Sequence, residues 1–301
     1  MNNSTRNLKM KKLLIASTAL VATAGMASAD ITISGHAAAG IHSALDDKTT
    51  TTSTTDVAAD GIYSNAGVKF ALSGATDNGI TFSASVDVMA GNKVDQGDFE
   101  YDGEDDGAMD MGAISMAGSF GTLTFNDGGI ENLYSDGLSN ADVSYATTVG
   151  AVSLTIAHDT DAASTGANSV SAGYTASGMA FTLTASEVAA GGTSTKLAVA
   201  YALNDTVSLT GKSDQAAGAE SVQTIGAKTT LNGVSVSVES ANNSTWDVDL
   251  GYTAGGFALT YGVDETDGWT ATATAALGGG ATFAAGVNDE DSMYAGVSFA
   301  F

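Results

Sequence analysis

The chain has 301 residues, of which 44% are hydrophobic and only 15% charged, and its formal net charge is −24 with neither proline nor cysteine. Such acidity repels nucleic acid and anionic membrane faces and gathers cations, so no nucleic-acid partner is expected. The missing cysteines exclude a disulfide scaffold, and with only three histidines and no thiol no zinc-type ligand cluster is expected.

At the N-terminus, Lys9, Lys11 and Lys12 precede an apolar run from Leu13 to Met26, and Ala27-Ser28-Ala29 offers a small-residue cleavage site. This pattern predicts a secretory signal peptide over 1–29, too short and wrongly flanked for a transmembrane helix. One domain is then expected over 30–301, since no linker or composition shift divides it. With Arg6 and the first lysines removed, the remaining chain has no arginine, and its lysines are Lys48, Lys69, Lys93, Lys196, Lys212 and Lys228.

From residue 30 onward the pattern is period-two alternation, apolar on one side and small or polar on the other. It predicts strands at 31–41, 64–75, 80–89, 109–118, 121–127, 141–148, 151–159, 168–175 and 179–187. Further strands follow at 194–203, 206–213, 221–231, 234–240, 244–253, 257–264, 268–277, 281–288 and 292–301. That is eighteen strands, or sixteen if the hairpin at 109–127 is lost. Tight turns fall at Thr76-Asp77-Asn78-Gly79, Ser177-Gly178, Asn204-Asp205, Asn232-Gly233, Gly255-Gly256 and Gly278-Gly279-Gly280. Their residues tolerate positive φ and join hairpins. Between them lie longer acidic, Ser/Thr-rich loops near 42–63, 90–108, 127–141, 159–167, 188–193, 213–220, 241–243, 265–267 and 289–291.

An even number of strands with short turns on one side and long loops on the other predicts an all-β, transmembrane antiparallel β-barrel in a Gram-negative outer membrane. Its short turns would be periplasmic and its acidic loops extracellular. Aromatics near strand ends, among them Tyr63, Tyr174, Tyr201, Trp246, Trp269 and Tyr294, are expected to form the interfacial girdles. A soluble β-sandwich alternates too. It usually contains proline and a bulkier core, whereas many inward positions here are Ala, Gly, Ser or Thr.

Parity sorts the charges. With Val68, Phe70 and Leu72 toward lipid, Lys69 faces the lumen, and by the same rule so do His36, Lys196, Lys212 and Lys228. Asp87, Glu187, Glu239, Asp247 and Asp249 are also expected inside, because a charge on the lipid face costs roughly 2–4 kcal/mol at mid-depth. A lumen dominated by carboxylates implies cation preference. The run from Asp95 to Gly107 is rich in oxygen ligands. Asp102, Glu104, Asp105 and Asp106 are the candidate Ca2+ ligands there, but the spacing is not that of an EF-hand and a solvated, charge-repelling loop accounts for the run. No other cofactor is expected, and no phosphate loop or nucleophile elbow points to an enzyme.

Four segments carry a family resemblance: Asp30-Ile31-Thr32-Ile33-Ser34-Gly35, Phe70-Ala71-Leu72-Ser73-Gly74-Ala75-Thr76-Asp77-Asn78-Gly79, Gly118-Ser119-Phe120-Gly121-Thr122-Leu123-Thr124, and Ser298-Phe299-Ala300-Phe301. In these the sequence resembles the general diffusion porins of alphaproteobacteria, the Rhodobacter type. The resemblance implies a sixteen-stranded barrel, usually a homotrimer, set in outer-membrane lipid and passing small polar solutes passively. It implies that Phe301 and Phe299 are read by the barrel-assembly machinery. It also implies a third long loop folded into the lumen, with acids facing wall arginines. The matching loop is 127–141, which makes Asp127, Glu131, Asp136 and Asp142 constriction candidates. Here the loop is short, arginine is absent, and the strand count is eighteen. A secreted acidic β-rich surface-layer protein or adhesin is the alternative, and a non-conducting barrel that serves as an anchor is a third; the terminal aromatic strand and the turn rhythm favour the porin.

Overall fold

The computed structural model describes residues 29–47, 57–103, 109–135, 138–160, 168–188 and 191–301. The predicted signal peptide therefore lies outside the described residues, apart from Ala29. Every regular element among them is a strand. In chain order these are β1 (Asp30–Ser43), β2 (Asp46–Asp47), β3 (Gly61–Ala75), β4 (Thr81–Asp95), β5 (Glu100–Gly103), β6 (Met109–Met111) and β7 (Ile114–Gly118). Next come β8 (Gly121–Ile130), β9 (Ala141–Val149), β10 (Val152–His158), β11 (Asn168–Ala176), β12 (Met179–Glu187), β13 (Thr193–Ala202) and β14 (Val207–Gln215). The last are β15 (Val222–Leu231), β16 (Val234–Ala241), β17 (Trp246–Ala254), β18 (Phe257–Asp264), β19 (Trp269–Gly278), β20 (Ala281–Asn288) and β21 (Met293–Ala300).

The wall is a closed, antiparallel 18-strand barrel. Closure comes from β1, which pairs with β3 on one side and with β21 on the other. Residue 301 completes that seam: Gly35 N–H donates to Phe301 O at 2.5 Å and Phe301 N–H to Gly35 O at 2.9 Å. The Phe301 ring lies where a Cβ on Gly35 would be, 2.3 Å from it, so Gly35 makes room for the terminal aromatic. In hydrocarbon an unpaired backbone group costs several kcal/mol, and a seamless ladder leaves no edge to pay that penalty.

Each predicted strand has its place in the wall. β6 and β7 are two pieces of one wall strand. Met111 pairs with Val86, but Ser115 pairs with Ser83, one residue out of step. The extra residue is a bulge at Gly112, whose N–H still donates to Ser85 O at 3.0 Å. The turns behave as their residues require. Ser177 and Gly178, Asn232 and Gly233, and Gly255 and Gly256 all have positive φ, the geometry of two-residue hairpins. β2 and β5 are not wall strands. They pair with each other in parallel, in the long loops beyond β1 and β4.

Register fixes the two faces. Outward rows such as Ile33–Phe70–Val86–Met111 and Leu250–Tyr261–Ala271–Val287 are apolar throughout. Ile33 and Leu250 leave 63% and 42% of their surface exposed, which an apolar band in water would not tolerate and a lipid-facing band requires. Outward aromatics cluster at both ends of the strands. Tyr174, Tyr201, Tyr252 and Phe257 lie near the short turns, and Trp246 and Trp269 open strands on the long-loop side. Tyr63 and Tyr294 do not belong to these girdles. Both lie on the inward parity and are only 3% exposed.

Candidate functional site

The inward rows carry the charge. Ser34, Lys69, Asp87 and Asp110 lie opposite one another across β1, β3, β4 and β6. His36 shares that parity, with its ring over Gly67, where a Cβ would come within 2.5 Å of it. Lys196 pairs with Thr184 and Asp214, and Lys212 and Lys228 follow on the inward sides of β14 and β15. On β16, β17 and β18 one row holds Glu239, Asp247 and Asp264, with Asp249 one step along. Glu187 departs from the expected set: it ends β12 on the outward parity and accepts from Asn168 Nδ2 at 2.8 Å.

Two lysines are already committed. Lys212 Nζ meets Glu239 Oε2 at 2.7 Å, and Lys196 Nζ meets Asp214 Oδ2 at 3.3 Å. The rest of the acid row on β17 and β18 has no lysine directly across the ladder from it.

The loop between β8 and β9 turns into the barrel and docks on the inner wall of β11 to β14. Asn132 Nδ2 donates to Ser186 Oγ at 2.9 Å, and Leu133 N–H to Ser169 Oγ at 3.2 Å. Tyr134 O–H donates to Asp214, and Lys196 Nζ donates to Tyr134 O at 2.9 Å while standing 4.8 Å from the Tyr134 ring centroid. Burial, reinforced by the hydrogen bond to Asp214 and its charge, pushes the Tyr134 hydroxyl up to about 12. It therefore stays a neutral donor at any ordinary pH.

The acids of this loop have other positions. Asp142 is 9% exposed and accepts from Gly128 N at 2.8 Å, Thr160 N at 2.7 Å and Thr160 Oγ1 at 2.6 Å. Its carboxylate clamps the base of the loop to the next one. Asp127 and Glu131 are exposed, and Asp136 lies outside the described residues. The side chains that hold the loop, Asn132 and Tyr134, are uncharged and carried no mark in the sequence, nor did their wall partners Ser186 and Asp214. Of the candidate Ca2+ ligands, Asp102 forms an ion pair with Lys93 at 3.3 Å, and Glu104, Asp105 and Asp106 lie outside the described residues.

The family model described as Gram-negative porin matches residues 16–301. The chain is a Gram-negative porin. No curated protein sequence matches this porin. Among solved structures it is similar to a mutant of the Rh. blastica porin, at 14% identity and a TM-score of 0.52, covering 90% of this chain and 100% of that one. It is also similar to Pseudomonas aeruginosa OccK8 (OprE), at 9% identity and a TM-score of 0.59, covering 91% of this porin and 98% of that chain. Acinetobacter baumannii OccAB4 gives 8% identity and a TM-score of 0.57, with 92% and 99% covered. At such identities these likenesses speak for the fold. Family and fold together make this porin an outer-membrane channel for small solutes.

Proposed function

We propose that this porin is a passive, water-filled channel that prefers cations and small uncharged polar solutes over anions. One observation carries the preference. The inner wall of β16 to β18 aligns Glu239, Asp247, Asp249 and Asp264, and the lysine that reaches this row, Lys212, is ion-paired with Glu239. Carboxylates facing water in a low-dielectric tube concentrate cations and repel anions. Among the described residues the basic side chain bonded to the inward loop is Lys196, which is also tied to Asp214. Reversal potential in a salt gradient tests the reading, and a potential of anion-selective sign overturns it.

The assembly is a homotrimer, packed through the outward side of β19, β20, β21 and β1. Supporting this is a concentration of small outward residues, Ala271, Ala273, Ala285, Ala295, Ala37 and Ala39. Part of this strip lines an apolar groove of about 700 Å³. Small side chains let a second barrel approach closely, as they do between membrane helices. Native mass measurement in detergent is expected to give a three-chain species, and Ala273→Trp is expected to disperse it. A monodisperse single chain would refute the arrangement.

A further inference from the structure

A second segment enters the barrel from the opposite wall. β4 runs to Asp95, and the chain then bends inward through Gln96 to Tyr101. Phe99 packs with Leu45 against Ala284 and Tyr294, two inward-facing residues of β20 and β21. Leu45 is fully buried and Phe99 is 5% exposed. The rings of Phe99 and Tyr294 lie 5.3 Å apart, and Tyr101 stacks on His42 of β1 at 4.3 Å. Tyr294 O–H donates to Gln96 O at 3.3 Å, and Ser292 Oγ donates to Ala44 O at 2.7 Å. Phe99 has φ +57, a left-handed conformation that bulky residues adopt only when their surroundings impose it.

The position matters as much as the anchoring. The Asn132–Tyr134 segment sits on β11 to β14, and the Gln96–Tyr101 segment on β20, β21 and β1. Going round the wall, β15 to β19 separate them on one side and β3 to β10 on the other, so they face each other across the lumen. Both sets of wall contacts lie toward the long-loop side. Lys196 and Asp214 are close to the long-loop ends of β13 and β14, and His42 and Tyr294 are close to the same ends of β1 and β21.

We propose that Gln96–Tyr101, seated by Phe99, is a second constriction element that sets the size limit of the mouth together with Asn132–Tyr134. This deepens the channel reading and rests on it. Solutes pass between the two segments, along the inner faces of β15 to β19 where the acid row stands. Phe99 is thereby a size-determining residue, acting through the segment it holds rather than by touching solute.

The test uses the whole porin in planar bilayers and in liposomes challenged with neutral sugars of increasing size. Phe99→Ala, confirmed as a folded barrel by its heat-modifiable migration, is expected to raise single-channel conductance roughly twofold and to admit larger sugars. Asp98→Cys places a thiol on an exposed neighbour in a chain with no other cysteine. Labelling it with a bulky maleimide is expected to block more than half the current. This variant leaves the buried anchor intact, so it answers even if Phe99→Ala misfolds. An unblocked current after complete labelling, or an unchanged sugar limit in folded Phe99→Ala, overturns the proposal. A parent barrel that passes no current would instead sink the channel reading itself.

Discussion

Replacing Tyr134 with Phe removes one donor and leaves almost everything else in place. The lost bond runs from the phenol to the Asp214 carboxylate. A hydrogen bond to a charged group contributes about 1.5–3 kcal/mol. The Asp214 side chain is 34% exposed, so water competes for it and the lower end applies. The ring remains over Lys196, and Lys196 Nζ still reaches the Tyr134 carbonyl at 2.9 Å. The loop is therefore weakened rather than freed. A loss of about 1.4 kcal/mol is tenfold in an equilibrium, so the docked-to-undocked ratio should fall roughly tenfold. Single-channel recording reads this directly, as brief excursions to a higher conductance that the parent shows rarely. Lys196→Met, which removes both the bond to the Tyr134 carbonyl and the cation over its ring, should lengthen those excursions further. If Tyr134→Phe traces superpose on the parent in mean conductance and in noise, the hydroxyl does not hold the loop and the reasoning fails.

The hydroxyl also predicts a pH window. Its value is raised from 10.0 to about 12, so the hydroxyl's contribution to docking should be complete below pH 10 and lost as pH climbs through 12, and the alkaline rise in noise should be larger in the parent than in Tyr134→Phe. Neutralising Glu239, Asp247 and Asp249 together as Gln, Asn and Asn should move the reversal potential toward anions, and no movement would place the selectivity elsewhere. On β13, Leu197→Lys puts a charge on the lipid face at mid-strand and should cost about 2–4 kcal/mol of folding stability in urea titration, whereas inward Ala200→Lys should cost far less. Equal costs would reverse the face assignment.

The strands were legible because each carries two independent signals. Leu197, Val199 and Tyr201 alternate with small residues, and Ser177-Gly178 or Asn232-Gly233 mark the turns with residues that accept positive φ. The end of β4 was not legible. Gly91 breaks the alternation, and the strand was expected to stop at 89. In the structure Gly91 has φ +100 and lies where any Cβ would meet Ser64 O at 2.1 Å, and β4 continues past it to Asp95. Phe99 and Tyr101 then lie within an acidic run whose composition reads as solvated loop. The two aromatics were the available sign that part of it folds back. The inward loop shows the opposite limit. Tyr134 and Asp214 are 80 residues apart, and no periodicity links an uncharged loop residue to a wall carboxylate. Parity predicted which way side chains point, and it gave no information about which loop would reach them.

The two docked segments are held by different chemistry, and the charge of the chain explains the difference. Asn132–Tyr134 carries no charge and lands beside Lys196, so polar bonds suffice to hold it. The Gln96–Gly103 stretch brings Asp98, Glu100 and Asp102 toward a lumen already rich in carboxylates. Each like-charge encounter at about 4 Å opposes docking by roughly 1 kcal/mol in water. Against this, the exposed Lys93–Asp102 pair offers at most about 1 kcal/mol. Burying a Leu or a Phe contributes about 1.5–3 kcal/mol apiece, enough to offset several such repulsions. A polar tether of the kind that holds Tyr134 would not suffice for an acidic segment in an acidic tube. An apolar anchor does, and it works without neutralising the carboxylates at the mouth. Leu45, Phe99 and Tyr294 therefore make a compact apolar cluster among the described inward residues, where an acidic segment is seated on a carboxylate-free stretch of wall inside an acidic lumen.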